Sequence, residues 1–452
     1  MDISEQLKNE PIGKLFFRLA LPSVLAQLVS LLYNIIDRIY LGHMEDAGGV
    51  ALTGVGLCMP VICVINAFTV LISQGGAPHA SIAMGRNDKR RAEKILGNCF
   101  ISLIGVAVVL TVVFLLTGRE LLMLFGASSE TIVYAWPYMK IYLVGNIFVM
   151  GSLGLNPFIT TQGFTRFSMI NVITGAVCNI ILDPIFIFVL KLGVCGAAIA
   201  TVLSQALVAV MAFRFLTGKK TFLKIKKEYF RLDKEIMLPV FALGLAPFIM
   251  QATEAALNVS FNYSLQQYGG DVAVGAMTIA STVMQMFWIP SSGIGQGAQP
   301  IISYNYGAKD KERFKKVVRL MFIVLEGYFL IGWAAVELFP QFFIRMFNSS
   351  SKELFETSMV TLRIYVASLG LFGLQSSVQQ VFVSTGQAKA SMFIACLRKV
   401  ILLIPFIFIL PQFLSDKVVA VFLAEPVSDF ISVVAAVSIF IWRFPKLLKQ
   451  ME

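Results

Sequence analysis

Acidic side chains stand inside long apolar runs at Asp37, Asp183, Glu254, Glu326, Glu425 and Asp429. An ionisable group facing hydrocarbon costs several kcal/mol, so acids in such places are candidates for holding a proton or a cation. Ser23, Gln27, Ser30, Asn34 and Asp37 recur at steps of four and three, which places them on one stripe of a helix. Asn179 and Asp183 lie one turn apart, and Pro184 leaves the carbonyl of Ile180 without its helical donor, opening the backbone beside Asp183. Thr201 can add a hydroxyl. Two carboxylates, an amide oxygen and a hydroxyl suit a small hard cation such as Na⁺ at Asp37 and Asp183. Two close carboxyls in a dry site can instead share one proton. For Asn179 and Thr201 the alternative is plain helix-to-helix hydrogen bonding.

The elements that position these groups are membrane spans. The chain has 452 residues, of which 57% are hydrophobic and 14% charged, with a mean hydropathy of +0.78. No water-soluble core hides that much apolar surface. Runs of about 20 residues, the length that crosses hydrocarbon, fall at 15–41, 50–77, 95–117, 133–158, 167–190 and 194–216, then at 236–265, 272–300, 317–341, 358–383, 390–413 and 417–442. Basic residues collect in alternate connections, at Arg86 to Lys94, Lys219 to Arg231 and Lys309 to Lys316. These are cytoplasmic loops, which puts both termini inside. The connections at 43–49 and 266–271 face outward. The net charge of +11 follows from this topology and implies no nucleic-acid partner. The N-terminal stretch lacks a signal-peptide cleavage site, so the first span is expected to stay. The cysteines, among them Cys58, Cys99 and Cys178, lack paired or metal-ligand spacing and read as small hydrophobes.

The two halves repeat. Residues 73–94 and 295–316 align without a gap, pairing Gln74 with Gln296, Gly75 with Gly297, Pro78 with Pro300, Gly85 with Gly307, Asp88 with Asp310 and Arg91 with Arg313. An even number of spans per half makes the repeat parallel, about an axis along the membrane normal. The expected division is an N-lobe at 1–216, a cytoplasmic linker at 217–235 and a C-lobe at 236–452. The fold class is an all-α membrane protein, twelve transmembrane helices in two pseudo-symmetric six-helix lobes around a central cleft.

LPSVLAQLVSLLYNIIDRIYLG in the first span, the repeated Q-G-x-x-P segment, and CNIILDPIFIF followed by GVCGAAIATVLSQ together resemble the multidrug and toxin extrusion (MATE) family, in its bacterial MepA/DinF-like branch. The resemblance covers nearly the whole chain. It implies a V-shaped cleft and a secondary antiporter in the bacterial cytoplasmic membrane, exporting amphipathic, often cationic compounds against inward H⁺ or Na⁺, with no other cofactor and as a monomer. In the family pattern Asp37, Asn179, Asp183 and Thr201 fall on the N-lobe cation site, which Tyr33 and Asn34 adjoin. Glu254, with Asn258 and Asn262 at steps of four, resembles a C-lobe glutamate of some members. The aspartate those members carry on span ten is absent, leaving Gln375, Gln379 and Gln380.

Pairing Pro184 with Pro405 sets Ile404 opposite Asp183 and Val400 opposite Asn179, so the second lobe lacks a copy of the site. Glu425 and Asp429, one turn apart, are the alternative second proton or cation site, and Glu326 has no evident partner. The substrate cleft is assigned to Met277, Met284, Gln285, Met286, Phe287 and Trp288, since thioethers and aromatics accommodate varied organic cations. Packing in the core is the competing reading. A lipid-linked precursor flippase is the second hypothesis. It needs cationic residues in the cleft, and Arg and Lys read as nearly absent from mid-span. A membrane-embedded enzyme is the third, and no H-E-x-x-H, nucleophile-and-base set or G-x-x-x-x-G-K-[ST] loop supports it.

Overall fold

A computed structural model describes residues 7–42, 48–347 and 351–452, without the side chains of Asn34, Arg38, Gly42, Gly48, Gly49 and Ala255. The roles expected of Asn34 and of the outward loop at 43–47 lie outside these. In chain order the N-terminal half holds α1 (Ile12–Gly42), α2 (Gly48–Gly56), α3 (Met59–Gly85), α4 (Lys89–Leu124), α5 (Ile132–Val144), α6 (Asn146–Thr160), α7 (Thr165–Pro184) and α8 (Gly193–Thr217). The C-terminal half holds α9 (Lys234–Gly307), α10 (Lys311–Leu338), α11 (Pro340–Arg345), α12 (Lys352–Tyr365), α13 (Phe372–Ser384), α14 (Ala388–Cys396), α15 (Ile404–Phe413) and α16 (Lys417–Lys449).

Among the described residues ten helices are long and apolar enough to cross a membrane, and α5 with α6, bent by 58°, supply an eleventh span. The α9 run is 74 residues long and is broken at Gly270, where φ is 60° and ψ is −157°. At 1.5 Å per residue it would stand about 110 Å tall, several times the bilayer core. It is therefore two spans turning at a glycine that tolerates the left-handed backbone, and the expected twelve are present. The helices run further into the basic loops than the apolar runs alone indicate, because capping continues them. Asp88 accepts from Arg91 N at 2.9 Å and Asp310 from Arg313 N at 3.0 Å, each at the start of a helix.

Those two caps belong to the repeat, and the backbone repeats with them: Asn87 and Lys309 both take positive φ, 58° and 60°. The lobes meet along α1, α3 and the two limbs of α9, where glycines let backbones touch. A Cβ on Gly75 would collide with Val240 O, one on Gly244 with Leu71 O, and one on Gly297 with the Ala20 backbone. At the basic ends the contact is reciprocal, Gly85 lying on Tyr304 O and Gly307 on Ile82 O. Ser81 Oγ donates to Pro300 O at 3.4 Å beside it.

The segment between the halves is anchored to the N-terminal half. Gln162 Oε1 accepts from Thr221 Oγ1, Phe222 N and Leu223 N, each at 2.9 Å. Lys226 pairs with buried Glu93 at 2.7 Å, which raises the Lys226 pKa. Lys94 pairs with Asp233 at 2.6 Å and holds that carboxyl below its ordinary range.

Candidate functional site

The N-terminal half brings Asp37 on α1 against the end of α7. Pro184 ends the α-helical hydrogen-bond pattern there, and the chain continues as a π-helical turn over Ile185–Val189, a local widening common at functional sites. Asp183 is wholly buried and Asn179 nearly so. Asn179 Nδ2 donates to Asp183 Oδ1 at 3.2 Å, and the Asp183 carboxyl faces that of Asp37 within hydrogen-bonding reach. Two acceptors in that position need a proton or a cation between them. Asp183 Oδ2 and Asn179 Oδ1 receive no donor among the described residues, and the charged side chain that acts on Asp183 is Asp37. Carboxylate and amide oxygens are the ligand types of a hard cation, so Asp37, Asp183 and Asn179 fit Na⁺ as well as a proton.

Tyr138 on α5 lies close to both carboxyls, and Tyr33 is near Tyr142 of the same helix. Sequence spacing gave no sign of Tyr138, since α5 carries no acid. Thr201 is half-buried on α8 and makes no hydrogen bond with Asn179 or Asp183.

The C-terminal half is built differently and corrects the sequence reading. Arg and Lys are present mid-span: Arg398 and Lys399 are both buried. They lie in a π-helical turn, Leu397–Leu403, ahead of Pro405. The larger turn lets two adjacent side chains point into the lobe, an arrangement that α-helical periodicity does not anticipate. Arg398 Nε donates to Asp429 Oδ1 at 2.6 Å and Nη2 to Glu425 Oε1 at 2.8 Å, with its guanidinium 4.6 Å from the Phe372 ring centroid. Ser368 Oγ donates to the other Asp429 oxygen at 2.9 Å. Lys399 pairs with Glu254 and donates to Met250 O at 2.9 Å. Glu425 and Asp429 are thus not a bare ion site: an internal cation, Arg398, already holds both. Glu254 turns to Lys399, while Asn258 and Asn262 are exposed. Glu326 also has a partner, the Leu374 backbone at the start of α13, where a carboxylate meets the positive helix end.

A cavity of about 190 Å³ opens between the halves. Gln74 lines it from the N-terminal half; Met250, Trp288, Phe372, Arg398 and Lys399 line it from the other. Of the residues assigned to the cleft only Trp288 is on it. Met277 is buried in the core, Met284 and Phe287 pack against that core, and Phe287 is further enclosed by Tyr328 and Phe343. Gln285 is exposed and Met286 half-buried, both off the cavity. The five consecutive positions 284–288 cover every azimuth of one helix, so only one or two can share a face.

A two-lobed bundle of membrane-spanning helices, with charge buried in each lobe and a cavity between them, is the architecture of a membrane transporter rather than of an enzyme. The MatE family profile matches residues 22–185 and 247–409, one stretch in each half, and the chain belongs to that family. The Multidrug export protein MepA of Staphylococcus haemolyticus is 24% identical over 427 residues, 94% of this chain and 93% of the relative. Its namesake in Staphylococcus aureus is 24% identical over 403 residues, 89% and 88% of the two chains. The fold is that of a MATE crystal structure in the bent conformation, with a TM-score of 0.92 at 22% identity, covering 100% of this chain and 99% of the other.

Proposed function

We propose that this chain is a secondary antiporter of the bacterial cytoplasmic membrane, with both termini inside, that expels amphipathic, often cationic compounds in exchange for inward H⁺ or Na⁺. It acts as a monomer and needs no cofactor beyond the coupling ion. The observation that carries the reading is the facing pair of carboxyls, half-buried Asp37 and wholly buried Asp183, beside the amide of Asn179. A proton or cation entering there neutralises a repulsive pair and alters how α1 packs on α7. Helix α1 lies in turn against the second limb of α9, through Gly297 on Ala20 and Gln27 Nε2 donating to Gln296 Oε1 at 3.2 Å. The names of the MepA relatives support drug export.

The test is ethidium export from everted vesicles under imposed proton or sodium gradients, for the native chain and for Asp37→Asn and Asp183→Asn. Export driven by one gradient, and lost in both variants, is the expected result. Full export by well-expressed variants sinks the site.

The flippase reading gains one observation, since cationic residues do line the cavity at Arg398 and Lys399. Both are matched by carboxylates, however, so the cavity offers no surplus positive charge for a diphosphate. Movement of a lipid diphosphate in vesicles that export no ethidium would reverse that judgement.

A further inference from the structure

The cavity between the halves has an open donor on its wall. Among the described residues the charged groups that line it are Arg398 and Lys399, while Glu254, Glu425 and Asp429 lie off it. A guanidinium carries five N–H donors on three nitrogens. On Arg398, Nε donates to Asp429 and Nη2 to Glu425. Nη1 makes no hydrogen bond among the described residues, yet it is not one of their buried unpartnered atoms. It therefore keeps accessible surface although the side chain as a whole is buried, and the open space beside that side chain is this cavity.

What such a donor takes follows from the charge around it. The single positive charge of Arg398 already meets two acids, at 2.6 and 2.8 Å, and Lys399 meets Glu254. A further carboxylate on Nη1 would stand near Glu425 and Asp429 with no spare cation to offset the repulsion. An uncharged oxygen accepts the N–H and adds no charge. Phe372 lies against the guanidinium, 4.6 Å from ring centroid to the charged carbon, so the acids and the ring together hold the fork still. Trp288 and Met250 add apolar, polarizable wall for the body of the ligand.

We infer that Nη1 of Arg398 is the docking point for an uncharged oxygen acceptor: among amphipathic compounds the cavity prefers those with a ketone, amide or ester carbonyl over isosteres without one and over carboxylates. A ligand that lacks the acceptor strips water from Nη1 and leaves its N–H groups unpaired, which is the costly case. The inference rests on the export reading and specifies a second feature of the compounds exported, apart from any positive charge they carry.

The experiment uses the full-length protein in lipid nanodiscs and three probes of similar size, 4-acetylbenzyl-, 4-isopropenylbenzyl- and 4-carboxylatobenzyl-trimethylammonium, titrated by calorimetry. The first two differ in having C=O or C=CH₂ at the same place. The native chain is expected to bind the acetyl probe about tenfold more tightly than the isopropenyl probe, since a site built around a hydrogen bond rejects a ligand that lacks it, and the carboxylate probe no more tightly than the acetyl one. Equal affinities for acetyl and isopropenyl overturn the inference, and a tighter carboxylate overturns the uncharged class. Arg398→Lys keeps a cation for the acids and loses Nη1, so the acetyl-to-isopropenyl ratio should fall to about one. Preserved selectivity in that variant, folded, overturns the role of Arg398. The native ratios need no variant, so a poorly folded Arg398→Lys does not decide the matter. Glu425→Gln with Asp429→Asn frees the guanidinium charge, and the carboxylate probe should gain about tenfold or more. No gain overturns the argument that the acids set the ligand's charge. If none of the probes binds but ethidium is still exported, this inference alone falls; if ethidium export is absent too, the export reading falls with it.

Discussion

The two halves share a fold and a repeat but handle buried acid in opposite ways. In the N-terminal half Asp37 and Asp183 face each other beside the neutral side chains of Asn179 and Tyr138. In the C-terminal half Glu425, Asp429 and Glu254 are matched by Arg398 and Lys399 on the π-helical turn of the equivalent span. Two carboxyls facing each other are relieved by a proton or cation taken up from outside, which they can release again. A pair already holding a guanidinium has its partner covalently attached and keeps it. One lobe is therefore suited to exchanging an ion with the solution, and the other to presenting fixed, nearly balanced charge to the cavity.

The comparison breaks most visibly at Arg398. Arg398→Met leaves Glu425 and Asp429 facing each other without a cation, and a loss of about 3–5 kcal/mol is expected, read as a fall in thermal melting in detergent. Adding Glu425→Gln and Asp429→Asn should restore most of it. If Arg398→Met melts like the native chain, the guanidinium is not holding the C-lobe acids, and the contrast between lobes fails.

Next is coupling. Asp183→Asn is expected to remove gradient-driven ethidium export, a loss of about a hundredfold or more, while Glu425→Gln lowers export by no more than about tenfold and keeps its dependence on the gradient. Gradient dependence lost in Glu425→Gln instead would move the coupling site to the second lobe. A third test uses what the lobes share. Gly85→Ala and Gly307→Ala each push a methyl into the other's backbone. Each should lower stability by about 1–3 kcal/mol, and the pseudo-symmetry requires nearly equal shifts in melting temperature. Unequal shifts would show that the lobes do not meet on the repeat axis.

The smallest effect concerns the connection between the halves. Lys94 depresses the Asp233 pKa, so the pair stabilises docking of the segment above the ordinary carboxylate range and loses that contribution as pH falls through the depressed value. Proteolysis of this segment should accelerate only in strongly acidic buffer, and Asp233→Asn should show the same rate at all pH values. Acceleration already near neutrality would mean that another group controls the docking.

Much of this was legible in the residues. Apolar runs, basic loops and the repeat from Gln74 to Lys94 predicted twelve spans and two halves, because lipid forces every span to be long, apolar and helical. Acid in such a run is conspicuous, so Asp37, Asn179 and Asp183 could be singled out from spacing and Pro184 alone. Tyr138 could not, because its place beside them depends on how α5 packs in the lobe, far along the chain from both aspartates. Cleft residues were legible only in part: the chain shows that a helix is apolar throughout, and not which azimuth turns to the cavity, so Trp288 was found with five neighbours that pack elsewhere.

What the sequence by itself determined is the membrane, the number of spans, the duplication and the presence of acid within the spans. Each follows from local composition and period, which act along the chain. What only the tertiary structure decided is who neutralises whom in the second half. Arg398 and Lys399 stand next to each other, and an α-helix would turn them to different faces. The π-helical turn faces both inward, toward acids on α9 and α16 that are far away in the chain. Pairing of buried charge is a property of the packed lobe, since the cost of an unpaired ion appears only when water is excluded around it.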